Sequence, residues 1–496
     1  MPRGLPASDR RLALGLFLVP FVTYAWFFSG GGWNQAAHFD LARALVERQT
    51  LYIDGYRVNT GDVSWSPVGG EWHAYINKPP GASFMAAVPY AVIYAVERAR
   101  GVNIDGWLAM TVNAWLVTLL TCGVTGALIP VVLYRYGRRR AGAAPLVAVA
   151  AALTIAFCTI VFPFSTAFLT HVPSALFLLL AFYWLDERPL LAGAAAGIAG
   201  TCNYLCIVAA AVLGVALLIR SWRNALRFVA GGVPFGLALA WYHDYCFGSP
   251  FTTAAETSRN FAANDLILGF FARPTWEAFH GITVSEYRGL FFSSPVLLLA
   301  FAGAAVMLRR RTMRRELAVV AALVAIFILI NSSFNYWHGA GSFGPRHLLA
   351  VVPLFAVPML FVNGRVVAAL WVVLALLSAG QQFLAAAVDP LPSGAVKQPT
   401  RMYHLPVFSR GRVPPELVRE FGWAGGYIGK VSVNQQAIDE ITPHSLHPPG
   451  SKESTWASFN AGELAFGAGH RTSVVPIALW MLGGSALLLA SARRSW

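Results

Sequence analysis

Charged side chains are scarce in this sequence, and acidic ones are the scarcer kind. Only 12% of the 496 residues are charged, with 23 acidic against 37 basic side chains. Hydrophobic residues make up 56% of the chain, and the mean hydropathy is +0.56. A water-soluble domain of this size cannot bury so much apolar surface. The composition therefore excludes a soluble protein and predicts one that is embedded in a lipid bilayer.

Motifs for nucleotides and metals are also missing. The chain has no Gly-rich phosphate loop and no Rossmann pattern, so no soluble nucleotide ligand is expected. It has no HExxH, CxxC or paired Asp motif, so no cofactor is indicated, although a divalent cation stays open. The five cysteines lie in or beside apolar segments without metal-ligand spacing. This placement favours small buried hydrophobic residues over a disulfide framework.

The excess of positive charge, formally +14, is explained by a membrane. In a soluble protein this excess would suggest nucleic acid. Here short Arg clusters end the apolar segments, as the positive-inside rule describes for cytoplasmic loops. Arg10 and Arg11 place the N-terminus in the cytoplasm, and Arg493 and Arg494 do the same for the C-terminus. We therefore expect membrane lipids as partners, and no nucleic acid.

The apolar segments predict an all-α polytopic membrane protein with about 12 transmembrane helices, within a range of about 11 to 13. The first apolar segment is read as a retained helix rather than a signal peptide. Residues 82–96 are apolar but short, and a span there would place Arg138–Arg140 outside, so an interfacial or re-entrant helix is predicted. The predicted spans are 11–29, 107–134, 143–163, 171–185, 189–203, 205–220, 226–243, 290–308, 316–332, 347–362, 366–384 and 473–490.

This topology divides the chain into three regions. Residues 1–386 form the transmembrane module and include a first outer loop at 30–106 with amphipathic helices on the outer face. Residues 387–472 are polar and form a small C-terminal periplasmic segment. Residues 473–496 form the last transmembrane helix and a cytoplasmic tail.

The first outer loop concentrates the residues that are able to do chemistry. Between Gly31 and Gly81 it holds three aspartates, two histidines and one lysine, in a chain that is otherwise poor in charge. Lysine and arginine beside carboxylates suit a substrate with a phosphate, because the basic group neutralises the phosphate and the carboxylate takes up a proton. Lys78 directly precedes the apolar helix at 82–96, where the phosphate of a lipid carrier would lie.

Further polar residues are predicted on the same outer face. They are His171, Trp337, His338 and Arg346. Tyr75 and Trp337 suit stacking on a sugar ring. Arg346 has a second interpretation, because an arginine near a helix end also reaches out to lipid head groups. The histidines have a structural alternative as well, as solvated or packed side chains.

Four stretches, in order along the chain, carry a family resemblance. They are the segment from Asn34-Gln35 to Asp54, Tyr75–Gly81, Phe162–Pro173 and Trp337–Arg346. They resemble the membrane-embedded GT-C glycosyltransferases, and among these the bacterial relatives of protein O-mannosyltransferases and of the lipid A aminoarabinose transferase, which are family 39-like. The motifs say little about which sugar is transferred.

The resemblance implies an inverting sugar transfer at the periplasmic face of the bacterial inner membrane. The donor would be a polyprenyl-phosphate-linked sugar, and the acceptor a lipid, a glycan or a protein. Lys78 matches the lysine that approaches the donor phosphate in the relatives. The other residues expected to bind substrate are Asn34, His38, Tyr75, His171, Trp337, His338 and Arg346.

The chain departs from the relatives at the expected catalytic aspartate. They carry it at the start of the amphipathic helix, where this sequence has Asn34-Gln35. An amide cannot act as a general base. Asp40 is therefore the first candidate for the base, followed by Asp62 and then Asp54. Two alternatives to an enzyme remain: a transporter or flippase of lipid-linked sugars, and a non-catalytic relative that binds carrier lipid.

Overall fold

Helices form most of the chain in the computed structural model, which describes residues 6–30, 32–68, 70–254, 272–310, 313–410, 458–466 and 470–494. The helices of the first half are α1 (Ala7–Trp26), α2 (Trp33–Arg43), α3 (Gly81–Ala99), α4 (Trp107–Thr118), α5 (Val124–Arg139), α6 (Pro145–Phe157), α7 (Val161–Phe164), α8 (His171–Trp184), α9 (Pro189–Cys202), α10 (Leu205–Leu218) and α11 (Trp222–Phe247). Those of the second half are α12 (Trp276–Thr283), α13 (Leu290–Ser293), α14 (Leu299–Arg309), α15 (Arg314–Asn331), α16 (Ala356–Met359), α17 (Arg365–Val388), α18 (Leu405–Arg410), α19 (Ala461–Phe466), α20 (His470–Ser473) and α21 (Val475–Arg494).

Other helical turns and four short strands complete the described chain. The π-helical turns are Ala44–Arg48, Leu119–Gly123 and Thr400–His404. The 3₁₀ helices are Arg57–Asn59, Pro295–Leu298 and Arg346–Phe355. The strands are β1 (Phe27–Phe28), β2 (Val63–Val68), β3 (Glu71–Ile76) and β4 (Phe459–Asn460).

Many of these helices have the composition of membrane spans. Four helices of the described chain are long and apolar enough to cross a bilayer: Leu108–Arg139, Trp222–Phe247, Arg365–Val388 and Val475–Arg494. The shorter apolar helices are Pro145–Phe157, His171–Trp184, Pro189–Cys202, Leu205–Leu218, Pro295–Arg309 and Arg346–Met359. Large apolar side chains such as Leu237 and Val366 face outward on the long helices. A mostly helical membrane protein is thus confirmed, while the count of about 12 spans stays a prediction.

Helix positions mostly agree with those read from the sequence. The segments predicted at 189–203 and 205–220 correspond to α9 and α10, and the helix predicted at 82–96 corresponds to α3, whose interfacial position stays a prediction. Two predicted spans are interrupted: 290–308 divides into α13, the 3₁₀ helix Pro295–Leu298 and α14, and 143–163 divides into α6 and α7. The α-helix predicted at 347–362 is instead a 3₁₀ helix, Arg346–Phe355, followed by the short α16. Pro353 lies inside this segment and has no N–H to donate to the preceding turn, which disfavours a continuous α-helix.

The first outer loop contains a β-hairpin that the sequence analysis missed. Strands β2 and β3 pair antiparallel, with Val63 opposite Ile76 and Val68 opposite Glu71. The signal was present as two six-residue runs of aromatic and β-branched residues around Gly69-Gly70, a pair that favours a two-residue hairpin turn. The hairpin brings the residues before β2 next to those after β3.

Segments from near the two ends of the chain meet at the C-terminal end of α1. Strand β1 follows α1 and pairs antiparallel with β4, and Ser458 exchanges hydrogen bonds with the backbone of Gly30. Helix α21 packs along α1, where Gly15 faces Leu488 and Gly484 faces Val19. Of the predicted periplasmic segment at 387–472, residues 411–457 lie outside the described residues.

Helices α9 and α11 pack so closely that their backbones are in contact at glycine residues. A Cβ atom at Gly193 would collide with the carbonyl oxygen of Phe228 on α11, and one at Gly231 with that of Leu190 on α9. These contacts leave no room for a methyl group, because backbone atoms cannot move aside as a flexible side chain can.

We expect Gly193→Ala to destabilise the protein by roughly 1–3 kcal/mol, because the new methyl group forces α9 away from α11. Thermal unfolding of the purified protein in detergent measures this as a lower Tm. The matched control is Gly380→Ala on α17, where an added Cβ meets no atom within 4 Å. Equal Tm values for the two variants would contradict the close packing.

Candidate functional site

Lys78 and Asp62 form an ion pair at the base of the hairpin. Because Val63 pairs with Ile76, the next position of the register joins Asp62 to Asn77, whose N–H donates to the Asp62 carbonyl at 3.2 Å. The following residue is Lys78, and its Nζ lies 3.3 Å from the Asp62 carboxylate. Both side chains are mostly buried, with 17% and 14% of their surface exposed. The hairpin register therefore places this pair.

Arg346 supplies a second positive charge at the same place. It opens the 3₁₀ helix Arg346–Phe355, and its guanidinium donates to the carbonyl of Gly341 at 3.4 Å. Burial lowers the pKa of Lys78, Asp62 opposes this shift, and the nearby Arg346 adds to it. Among the described residues, two cations thus lie near one carboxylate.

Histidines lie near the Lys78–Asp62 pair. His38 on α2 bonds through Nδ1 to Ser83 Oγ on α3 at 3.0 Å. Burial lowers the pKa of His38 to about 3, and the charge of Lys78 contributes to this, so the ring is neutral at physiological pH. His171 at the start of α8 and His347 lie with their ring centroids 5.6 Å apart.

The amide of Asn34 lies on the same side of α2 as His38. The two residues are four apart, which is one helical turn, so their side chains share a face. The Oδ1 atom of Asn34 is buried and has no hydrogen-bond partner among the described residues, and the same holds for Nδ1 of His171 and Nε of Arg346. Unsatisfied polar atoms next to a charged pair are typical of a site that receives a polar ligand.

Asp40, the first-ranked candidate base, lies in a different environment. It is six residues after Asn34, which turns it by about 120° around α2 from that residue, and it is fully buried. Asn59 donates to its Oδ1 at 3.0 Å. Burial raises the pKa of Asp40 to about 8, with Arg43 opposing the shift, so the carboxyl is mostly protonated at neutral pH.

Asp54 is also part of another network. Its carboxylate accepts a hydrogen bond from His73 Nδ1 at 2.7 Å and one from the backbone N–H of Ala74 at 2.7 Å. The ring of His73 stacks on Tyr52 at a centroid distance of 4.2 Å. Asp54 therefore fixes the segment before the hairpin onto β3. Of the three candidate aspartates, the structure brings Asp62 together with Lys78 and Arg346.

Tyr75 is placed in an apolar cluster rather than beside Lys78. Its ring is buried and packs edge-on against Phe247 at the C-terminal end of α11. Burial raises its pKa well above the usual range. This contact, together with the Ser64 hydroxyl that donates to the carbonyl of Ala254, attaches the hairpin to the membrane helices.

Trp337 and His338 belong to a loop that Arg288 holds in place. Arg288 is fully buried and donates to the carbonyls of His338 at 3.0 Å and Ala340 at 2.9 Å. Trp337 packs edge-on against Tyr287. Burial lowers the pKa of His338 to about 4, and the positive charges of Arg288, Lys397 and Arg346 add to the shift. The loop thus lies close to Arg346.

A network of buried charges that the sequence analysis missed supports α2. Arg43 forms ion pairs with Glu47 at 2.8 Å and with Asp105 at 2.6 Å. Glu47 also accepts hydrogen bonds from the hydroxyls of Tyr56 and Tyr90. This network joins α2 to α3 and to the loop before the hairpin. The i, i+4 spacing of Arg43 and Glu47 was visible in the sequence, but their distant partners were not.

The donor set of the site fits an anion better than a metal ion. In the part of the chain that the structure describes, no group of three or more His, Cys, Asp or Glu side chains could hold a metal. The site combines Lys78 and Arg346 with neutral histidines and a single carboxylate. Such a group can bind a phosphate through charge-assisted hydrogen bonds, while Asp62 is placed to take up a proton.

Comparison with known proteins gives one family. Residues 79–333 match the sequence model of glycosyltransferase family 87, which covers half of the chain. The matched region includes His171 and Arg288, and it begins directly after Lys78. No curated protein matches the chain. The match confirms the expected membrane glycosyltransferase, but it is not a match to the family 39-like relatives.

The raised pKa of Asp40 predicts a pH-dependent stability. Between about pH 4 and pH 8 the unfolded carboxyl is ionised while the folded one keeps its proton, so the stability from this group falls as the pH rises. We expect Asp40→Asn, which cannot ionise, to remove a slope of at most about 1.4 kcal/mol per pH unit.

Thermal unfolding between pH 5 and pH 8 measures this effect. The Tm of the wild type should fall relative to that of Asp40→Asn as the pH rises. Glu71→Gln, which removes an exposed carboxylate from the β2–β3 hairpin, is the control and should follow the wild type. Parallel curves for wild type and Asp40→Asn would show that Asp40 is ionised in the folded protein.

Proposed function

Because the chain belongs to glycosyltransferase family 87, we propose that it transfers a sugar from a polyprenyl-phosphate donor to an acceptor at the periplasmic face of the bacterial inner membrane. The observation that carries this proposal is the buried group of Lys78, Arg346 and Asp62 beside the apolar helix α3. A lipid-linked phosphate matches both properties of this place, since it is anionic and joined to a chain that belongs in the bilayer.

The phosphate of the donor would bind between the two cations. Lys78 and Arg346 place two positive charges beside the Asp62 carboxylate. A donor phosphate bound between them would add negative charge there and reduce their mutual repulsion. The same two cations then stabilise the phosphate as it becomes the leaving group, when its negative charge increases.

Asp62 is the general base in this proposal. The acceptor hydroxyl attacks the anomeric carbon from the face opposite the phosphate, the carbon–oxygen bond to the phosphate breaks, and the hydroxyl proton passes to the Asp62 carboxylate. One bond forms as one breaks, so the configuration at the anomeric carbon inverts. Asp40 and Asp54 support α2 and the hairpin, since their carboxyl groups are engaged in other networks.

Neutral polar groups around the charged centre would orient the sugar. Asn34 and His38 offer hydrogen bonds from α2, and His171 offers one from α8. Trp337 and His338 provide an aromatic wall on the side of Arg346. An amide at position 34 can donate and accept hydrogen bonds without taking part in proton transfer, which suits a role in binding.

Single substitutions distinguish the role of Asp62 as the general base from the role of Lys78 in binding the donor phosphate. We expect Asp62→Asn to lower kcat by about 100-fold or more with little change in KM for the donor, because general-base catalysis is lost while phosphate binding stays. Lys78→Ala should raise the donor KM and lower kcat together. The measurement is transfer of label from a radiolabelled polyprenyl-phosphate sugar to a membrane extract by purified protein in lipid.

The control is Asp186→Asn, which removes another carboxylate paired with a basic residue, Arg315, beyond the other end of α8. It should keep wild-type transfer.

Full activity of Asp62→Asn would refute Asp62 as the base. Donor binding without product across several sugars would favour the non-catalytic carrier-lipid protein. Movement of donor across vesicles without product would favour the transporter.

A further inference from the structure

An apolar groove of about 700 Å³ lies between α9, α10 and α11. Ligand pockets in proteins commonly enclose roughly 300–1,000 Å³. Side chains of Ile207, Val215, Leu218 and Leu239 line it together with glycines and alanines of all three helices. Its lining is almost wholly apolar, so it suits a hydrocarbon ligand.

The glycines of these helices differ in how closely they pack. Gly193, which also lines the groove, and Gly231 bring the backbones of α9 and α11 into contact. Gly214 and Gly236 line the groove without such a contact: an added Cβ at Gly214 would meet nothing closer than Phe228 at 3.8 Å, and one at Gly236 meets no atom within 4 Å. Helix packing therefore accounts for the first pair and leaves the second pair unexplained.

The groove is long and runs along the helices. Ile207 and Leu218 on α10 line its two ends, and eleven residues of α-helix span about 17 Å. That length is more than half of the roughly 30 Å hydrocarbon core of a bilayer. A bound chain would thus lie along the membrane normal rather than as a compact ring.

One end of the groove adjoins the charged site. Thr201, which lines this end, packs against Gly81 so closely that a Cβ on Gly81 would come within 2.5 Å of the Thr201 hydroxyl. Gly81 is three residues after Lys78. The outer end of α11, which forms one wall of the groove, also packs against Tyr75 on the strand that leads to Lys78.

We propose that this groove holds the isoprenoid chain of the donor whose phosphate binds at Lys78. The inference rests on the proposed function and adds where the carrier chain lies and what selects it. A methyl-branched chain needs a wider channel than a linear one, and glycines on three helices provide that width. Burial of each further isoprene unit in the groove would raise the affinity for the donor.

Two variants fill the groove without disturbing the charged site. Gly214→Leu and Gly236→Leu each place a side chain in the open space of the groove. Transfer is measured with a short donor of two isoprene units and with a long natural-length donor. We expect each variant to raise KM for the long donor by about tenfold or more, because its chain loses buried area, and to leave the short donor unaffected.

Leucine substitutions at other open helix glycines are the matched controls. Gly380→Leu on α17 and Gly483→Leu on α21 meet no atom within 4 Å at Cβ either, and neither residue lines the groove. Both should keep wild-type kinetics with both donors. An unchanged ratio of long-donor to short-donor KM in the groove variants would overturn the proposal, and so would an equal loss with both donors.

A binding measurement keeps this inference separate from the reaction. Sugar-free, photoreactive polyprenyl phosphate is cross-linked to the protein, and the labelled peptides are identified. Label on α10 and α11 that Gly214→Leu removes supports the groove, even if no sugar transfer is detected and the proposed function fails. Label elsewhere refutes it. Equal displacement by phosphatidylglycerol would identify an ordinary lipid site and refute it as well.

Discussion

Two buried cations that share one carboxylate set the main constraint on this structure. Burying a charge costs several kcal/mol unless a partner compensates for it, and among the described residues Asp62 is the carboxylate that interacts with both Lys78 and Arg346. Nearby histidines such as His38 add no further positive charge because burial keeps them neutral. An anion bound between the two cations would reduce their repulsion, which is the physical basis of the proposed phosphate site.

Hydrogen bonds and ion pairs hold the segments around these cations in place. The register of β2 and β3 sets the distance between Asp62 and Lys78, while the buried pair of Arg43 and Glu47 fixes α2 against α3. Arg288 fixes the loop that precedes Arg346 by binding its carbonyl groups. Three separate networks thus hold three segments, distant in sequence, around one site.

The sequence predicts the membrane helices well and the site only in part. Lengths of apolar runs and the positions of arginines decide where α9 and α10 begin and end, and both properties are local. The environment of Asp40 cannot be read from its neighbours in the sequence. Its hydrogen-bond partner Asn59 and its burial both depend on how the loop after α2 folds back against that helix. Helical periodicity alone does turn Asp40 away from Asn34, since a separation of six residues places the two side chains about 120° apart around the helix.

The pairing of the chain's two ends has a consequence for biosynthesis. Helix α1 enters the membrane early, whereas its neighbour α21 and the strand β4 are synthesised more than four hundred residues later. Until then the C-terminal end of α1, where the loop with Lys78 begins, lacks the hydrogen bonds of Ser458 to Gly30. A chain that stops before β4 therefore has every charged residue of the candidate site but not this contact between its early and late segments.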